Sequence, residues 1–396
     1  MRTQVYSNKS ERLCYGCRAC EQICPKNAII MRENDEGFIY PHIESTLCVE
    51  CEMCEDVCTT QEYNRKEILH YERPDVYASW NKNMDERLQS TSGGIFYVLA
   101  RHIINNSGVV YGVCLTHGLT AVHTRVSSLN GLERLRGSKY MQSDTNTTYS
   151  QVRTDLNNGI KVLYSGTPCQ IAGLRSFLHK EFVNLYTVDV VCHGTPSPWL
   201  FAKNIQNIEH KDKSLVVDYR FRNKNKYDWN PTVTYFLKNG EVKHLSVAQN
   251  FYGYAFYKSI VNRESCYLCE YSCPQRCSDI TLSDFWGAER CHKELKKVRK
   301  HGLNMVMCNT LKGKDLFEHI TNEINSINSS LEVAIKYESR LSSSGLRPRL
   351  RDNIYLQCKE TGYDYVEHKY LLHTNLLIKI IPRKLINIIK DILSYL

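Results

Sequence analysis

Residues 161–174 read KVLYSGTPCQIAGL. Lys161 to Tyr164 is a short strand-like run, SGTP is turn-and-cap sequence, and from Cys169 onward apolar residues recur at helical spacing. The same handover recurs through the middle of the chain. DVYASW (75–80), GVVYGVCL (108–115), KVLYSG (161–166) and YTVDVVC (186–192) read as strands. IFYVLARHIINN, QVRTDLNN, CQIAGLRSFLHK and PWLFAKNIQNIEH between them read as helices. Strands alternating with helices predict an α/β domain with a mostly parallel sheet. TVTYFLKNGEVKHLSV (232–247) adds a hairpin, with Asn239-Gly240 suited to a type I′ turn. A lone cysteine at a strand-to-helix junction can neither hold a cluster nor close a disulfide by itself, so the rest of the chain must supply its partners.

The chain has 396 residues, 18 of them cysteine, and a formal net charge of +9. That length exceeds one ordinary core and predicts two or three domains. The opening MRTQVYSNKSERLC has no apolar signal-peptide core, and no run of roughly eighteen apolar residues suggests a membrane span. A cytoplasmic location follows as the expectation, with thiolates holding metal rather than disulfides. The net charge does not point to nucleic acid, because the first 66 residues carry 11 acids against 8 bases and no block of Lys and Arg is interleaved with aromatics downstream.

Residues 14–25, CYGCRACEQICP, and 48–58, CVECEMCEDVC, both follow C-x2-C-x2-C-x3-C spacing. Three thiolates from one loop take three corners of a 4Fe-4S cube and the fourth comes from the other motif. Crossed ligation assigns Cys14, Cys17, Cys20 and Cys58 to one cluster and Cys48, Cys51, Cys54 and Cys24 to the other. Zinc also takes four thiolates but does not explain the doubled three-plus-one pattern. Residues 1–66 are therefore expected to form an α+β ferredoxin-like two-cluster domain with an acidic skin. NDEGFIYPHI forms a turn and short hairpin between its halves, and a polar linker follows near 61–74.

Two loops of the α/β domain suit phosphate. STSGG (90–94) offers hydroxyls, backbone N–H groups and glycines at the start of an apolar helix, naming Ser92, Gly93 and Gly94. GSKYMQSD (137–144) places Gly137, Ser138, Lys139 and Tyr140 together as a grip for a pyrophosphate or a flavin edge. Neither is a dinucleotide or Walker loop, and a capped helix and a polar loop explain each one taken singly.

A second cysteine group, RESCYLCEYSCPQRCSDITLSDFWG (263–287), could close a third site from Cys266, Cys269, Cys273 and Cys277 alone. Cys169 in SGTPCQ and Cys192 in VCHGTPSP compete for it, since each follows a predicted strand and strand ends converge on the crevice of an open sheet. Cys114, Cys291, Cys308 and Cys358 are expected to be small buried hydrophobes.

Taken in order, SGGIFYVLA, GSKYMQS, SGTPCQIAGL, VCHGTPSP and CYLC…R-x-SDITLSDFWG resemble the coenzyme F420 hydrogenase/dehydrogenase beta subunit family over roughly residues 1–345. The resemblance implies a flavin and iron–sulfur domain over 75–345, with the third cluster on Cys169, Cys192, Cys266 and Cys269. Cys273 and Cys277 are departures from the family pattern and stand as alternative ligands. It also implies FAD, or less readily FMN, held by the two phosphate loops, with Thr167, Pro168 and Gln170 near the ring. Coenzyme F420 is a candidate substrate. His193 is a candidate proton donor against the commoner structural role, and Asp279 and Asp284 orient loops or are buried structural carboxylates.

The function this implies is an iron–sulfur flavoprotein oxidoreductase that passes electrons between a ferredoxin-type donor and a small or glycan-linked substrate. A non-catalytic relay subunit serving a hydrogenase or dehydrogenase, and a cluster-based redox sensor, are the alternatives. The remaining 346–396 reads as a basic helical tail. Within it PRKLINIIKDILSYL (382–396) places Leu385, Ile388, Ile389, Ile392 and Leu396 on one helical face, suited to peripheral contact at the inner membrane surface, to a partner, or to docking on its own domain.

Overall fold

The chain is described by a computed structural model over residues 10–224, 229 and 232–380. In its first segment, α1 (Ala19–Ile23) and α2 (Met53–Asp56) each begin two residues after the second cysteine of a motif. Between them β1 (Ile29–Glu33) and β2 (Ile39–Ile43) pair antiparallel, Glu33 opposite Ile39, as the hairpin reading predicts. The two cysteine loops repeat each other in backbone detail. Gly16 and Arg18 in one, and Glu50 and Glu52 at the same offsets in the other, have φ of 66°, 63°, 53° and 61°. Left-handed backbone costs a non-glycine residue about 1–2 kcal/mol, so something must impose it. Here it winds each loop tightly enough to present three thiols on one side.

Residues expected as a polar linker carry α3 (Glu62–Ile68) instead. Its Arg65 pairs with Glu270, and the N–H of His70 donates to Arg276 O at 2.8 Å, so the segment is stitched to the main domain.

The main sheet runs β13-β3-β12-β11-β7-β6-β4-β5. Its strands are β3 (Asp75–Asn81), β4 (Val109–Leu115), β5 (Ala121–Val126), β6 (Val162–Gly166), β7 (Leu185–Val190), β11 (Ile280–Asp284), β12 (Asn304–Cys308) and β13 (Ile324–Asn328). The parallel pairing predicted from sequence is found at the centre, where β4, β6, β7 and β11 are neighbours. Both flanks are antiparallel, so the sheet is mixed. On the β4–β5 flank the cause is local: only Thr116–Thr120 joins the strands, too short for a parallel crossover. A separate three-stranded sheet comprises β8 (Val216–Arg220), β9 (Thr232–Leu237) and β10 (Val242–Ser246). The predicted hairpin joins β9 to β10, but its turn differs. Gly240 has φ 90° while Asn239 is not left-handed, so the turn is not type I′.

Strand alternation sets the layers. Leu163 of β6 faces α4 (Ile95–Asn105), whose Ile95, Val98, Leu99 and Ile103 are fully buried. Val162 and Tyr164 face the other side, where α5 (Pro168–Leu178) buries Ile171, Leu174 and Phe177. Tyr15, Ala19, Ile23 and Val57 of the cysteine-rich segment join that second core, so the segment lies directly on α5. α6 (Glu264–Tyr267) carries Cys266. Part of the predicted tail is core: α7 (Leu350–Glu360) buries Ile354, Tyr355 and Cys358 against Phe38 and Tyr40. The amphipathic stretch 382–396 lies outside the described residues. Among those described, no helix is long and apolar enough to cross a membrane. Cys114, Cys308 and Cys358 are buried as expected, but Cys291 is not; it ends a 3-10 turn at the surface, its Sγ 3.7 Å from Tyr337 Oη.

Candidate functional site

The first motif's three leading cysteines meet the last cysteine of the second. Burial, joined by the charges of neighbouring thiolates, raises Cys14, Cys17 and Cys20 above the usual range. Cys58 bears on Cys14, Cys17 and Cys20 alike, and Cys17 reaches about 12. The N–H of Gly16 donates to Cys14 Sγ at 3.4 Å. The reciprocal quartet, Cys24, Cys48, Cys51 and Cys54, lines a single small cleft with Pro25, Ala28 and Ile43. Burial pushes Cys54 up to about 11, with Cys48 among its charged neighbours. Cys54 also bears on Cys20, so the two quartets are adjacent. Cys51 is exposed, as are Leu47, Val49, Glu50, Glu52 and Met53 around it.

The third group draws on distant parts of the chain. Cys169 is the second residue of α5, behind a Thr167 cap and Pro168. Cys192 follows β7, and the N–H of Gly194 donates to its Sγ at 3.4 Å. Cys266 sits on α6, 3.8 Å from Thr195 Oγ1, and Cys269 lies just beyond. Burial is the leading cause of each raised thiol here, joined at Cys169, Cys192 and Cys269 by the charges of neighbouring cysteines and opposed at Cys266 by Thr195, Arg263 and Arg351. Cys269, Cys192 and Cys266 bear on Cys169; Cys266 and Cys269 bear on Cys192, which rises to about 12. The same packing pushes Cys269 up to about 11.

Cys277 lies beside the Cys169 junction, but it and Cys273 have hydrogen-bond partners of their own. The Cys277 thiol donates to Pro168 O at 3.2 Å, and that of Cys273 to Gln275 O at 3.2 Å. Their charged neighbours are Arg276 and Asp189, a buried pair at 2.8 Å. Among the described residues, no three His, Cys, Asp or Glu side chains converge on a single-ion site. A four-iron cube takes one thiolate at each of four corners, so its ligands stand farther apart than the four around one zinc. Quartets of neighbouring thiols that do not converge on one point fit the cube.

Two tyrosines fill the space between the first and third groups. Burial and then the charges of Cys269 and Cys169 push Tyr15 far up, and its ring lies 5.4 Å from that of Tyr271. Tyr149, likewise raised by burial, has both Cys17 and Cys169 among its charged neighbours. Gly173, one turn along α5 from Cys169, lies so close to the first group that a Cβ there would stand 2.9 Å from Cys17 Sγ.

The residues expected around flavin are brought into one strip, though several are already engaged. Gly94 caps α4 with φ 88°, and the N–H of Ser138 donates to Thr91 Oγ1 at 2.8 Å, joining the two loops beside Gly137. Ser92 Oγ donates to Leu303 O at 2.8 Å, and Gly93 is wedged so that a Cβ would meet Ser79 O at 2.6 Å. Lys139 Nζ donates to the carbonyls of Leu135 and Arg136 at 3.1 and 2.8 Å, and burial lowers its pKa to about 7. Gln170 caps its own helix from Thr167 and donates to Ser143 Oγ at 3.0 Å.

Tyr140 stacks on Phe256 with centroids 4.1 Å apart. Next to it lies a region of which sequence reasoning named only Asp284. Arg222 pairs with Asp284 and lies over the ring of Trp286, which stacks on Trp229 at 3.7 Å. Arg222 Nη2, Asp284 Oδ1 and Trp229 Nε1 are buried without a hydrogen-bond partner among the described residues, and Tyr140 is a principal charged neighbour of Arg222. Unpaired buried donors and acceptors beside flat aromatic rings suit a planar, hydrogen-bonding ligand. The DFWG sequence was the available signal. His193 Nε2 faces Glu338 Oε1 at 3.1 Å, and Asp279 accepts from Thr187 and Thr310, a structural arrangement.

Two family models match parts of the chain. Residues 159–329 match the model for the C terminus of the coenzyme F420 hydrogenase/dehydrogenase beta subunit, and residues 13–61 match that of a 4Fe-4S dicluster domain. No curated protein matches the chain. Among solved structures, a chain of the F420-reducing NiFe hydrogenase complex from Methanosarcina barkeri is similar at 12% identity. The alignment covers 73% of this chain and 93% of that one, with a TM-score of 0.45.

Proposed function

From the match of residues 159–329 to the C terminus of the coenzyme F420 hydrogenase/dehydrogenase beta subunit, and of residues 13–61 to a 4Fe-4S dicluster domain, we propose an iron–sulfur flavoprotein oxidoreductase that relays electrons through three clusters. The observation that carries the reading is the gathering of twelve cysteines into three adjoining quartets, the last built from Cys169, Cys192, Cys266 and Cys269. Clusters of this kind exchange single electrons, and a bound flavin connects single-electron to paired-electron chemistry.

The chain's own residues set the route. Exposed Cys51, with Val49 and Met53 flanked by Glu50 and Glu52, makes the second quartet the face for a redox partner protein. Cys20 and Cys54 adjoin across the two ferredoxin quartets, and Gly173 lets Cys17 lie against α5 close to Cys169. Burial of the thiols excludes water along this line, and the N-terminus of α5 directs its positive end at Cys169. Gly94, Gly137, Ser138 and Tyr140 would hold FAD, with Arg222, Asp284 and the Trp286 ring as the polar and aromatic lining. Coenzyme F420 is the substrate the family name suggests.

Anaerobic purification with iron and flavin analysis tests the reading. About twelve iron atoms and noncovalent FAD are expected per chain. Gly94→Val should lower flavin content and leave iron unchanged. Saturation near eight iron would remove the third cluster, and full iron with no flavin would leave a relay subunit.

A further inference from the structure

Arg263 is 1% exposed, and each nitrogen of its guanidinium donates one hydrogen bond: Nε to Cys14 O at 2.7 Å, Nη1 to Gln142 Oε1 at 2.9 Å and Nη2 to Ile39 O at 2.8 Å. It lies over the ring of Tyr40, 4.1 Å from the centroid. All three acceptors are neutral. Among the described residues no carboxylate forms an ion pair with it, unlike the other buried cations nearby. Arg276 has Asp189, and Arg351 has Glu36, Glu264 and Asp352. A buried charge without a counter-charge costs several kcal/mol and persists only where something compensates it.

The position of Arg263 names the compensation. Its backbone belongs to the third group: its N–H donates to Thr195 O at 2.9 Å, and its own carbonyl accepts from Cys266 N at 2.9 Å. Its side chain crosses into the first group and grips the carbonyl of Cys14. Gly16 leaves room for this crossing, since a Cβ there would stand 3.0 Å from Arg263 Nη1. The charge accordingly bears on Cys14 in one quartet and on Cys266 in the other. A cube held by four thiolates is a net anion.

We propose that Arg263 is the shared counter-cation of the first and third clusters, raising both reduction potentials together while the second cluster lies outside its reach. This rests on the three-cluster reading. A cation beside both stabilises the more negative, reduced form of each, so the two potentials move up together relative to that of the second cluster.

The full chain, reconstituted anaerobically as wild type, Arg263→Gln and Arg263→Lys, is analysed for iron and titrated with each cluster followed by electron paramagnetic resonance. In wild type, absence of a third cluster signal defeats the underlying reading rather than this inference. With three clusters present, Arg263→Gln should shift the redox equilibria of the first and third clusters about tenfold toward oxidation, about 59 mV for a one-electron couple. The second cluster should not move, and Arg263→Lys should stay near wild type. Unmoved potentials, or equal shifts at all three clusters, would overturn the proposal. If Arg263→Gln fails to assemble, Arg263→Lys decides, because full iron with wild-type potentials supports a role of charge. Loss of iron in both variants would reduce Arg263 to a folding contact and overturn it as well.

Discussion

Gly173→Ala places one methyl group at the contact between the ferredoxin segment and α5. The added Cβ would stand 2.9 Å from Cys17 Sγ, 3.1 Å from Cys17 Cβ and 3.1 Å from Tyr149 Oη. None of these can swing away. Cys17 sits on a tightly wound loop, held there as a ligand on the proposed reading, and Tyr149, fully buried, donates to Gln170 O at 2.8 Å. Alanine gains about 1 kcal/mol over glycine inside a helix. Overpacking a filled core costs about 1–3 kcal/mol, and a fixed neighbour places this site near the upper end. The expected net result is a loss of about 1–2 kcal/mol. It should be accompanied by a broadened paramagnetic signal of the first cluster and an unchanged signal of the second. Anaerobic denaturation of iron-loaded protein, with spectra before unfolding, measures both. A variant more stable than wild type with an unchanged first-cluster signal would show only the helix gain, and would refute direct packing of α5 on the Cys17 thiol.

Other outcomes follow from separate parts of the molecule. Arg351, 1% exposed, joins α7 to Glu36 in the turn between β1 and β2 at 2.7 and 2.5 Å. Removing one partner of a buried pair costs about 3–5 kcal/mol, so Arg351→Met should lose about 3 kcal/mol, toward the low end because Glu36 is partly exposed. A loss under about 1 kcal/mol would mean that the pair does not tie these elements together. His123, 4% exposed, donates from Nε2 to Ser165 O and accepts at Nδ1 from Ser143 Oγ, and burial pushes its pKa down to about 4. The folded state keeps the ring neutral while the unfolded chain takes a proton below about 6.5. Its contribution is therefore intact above pH 6.5 and lost as pH falls toward 4, by up to about 3 kcal/mol. His123→Gln at matched iron loading should flatten that acid limb, and parallel limbs for the two proteins would contradict the assignment.

Much of this was legible in the sequence because the relevant constraints are local. C-x2-C-x2-C-x3-C spacing fixes which thiols share a loop, and the run from Lys161 to Leu174 announces strand, cap and helix in order. Non-local pairing was less legible. Nothing in Asp75–Asn81 says that β3 lies antiparallel between β12 and β13, so the sheet was expected to be more parallel than it is. The polar stretch 61–74 hid α3, because a short helix anchored by Arg65 and His70 has no apolar stripe to reveal it. Asn239-Gly240 marked a turn but not its type. Arg263, Arg222 and Tyr149 went unnoticed because their meaning lies in partners more than twenty residues away in the chain. Lys139 was read as a phosphate ligand from its loop, and only the fold places its amine on the carbonyls closing a helix.

The central claim is that Cys169, the second residue of α5 just after the strand-to-helix junction, holds a third cluster with Cys192, Cys266 and Cys269. Parallel iron analysis and paramagnetic resonance of Cys169→Ser and Cys277→Ser, both prepared anaerobically, test it most directly. Serine keeps the size of cysteine but is a poorer ligand for iron. Cys169→Ser is expected to fall from about twelve iron atoms to about eight, with the two ferredoxin signals intact. Cys277→Ser, whose thiol only donates to Pro168 O, should keep all three clusters. Three intact clusters in Cys169→Ser, with the third lost in Cys277→Ser, would contradict the account.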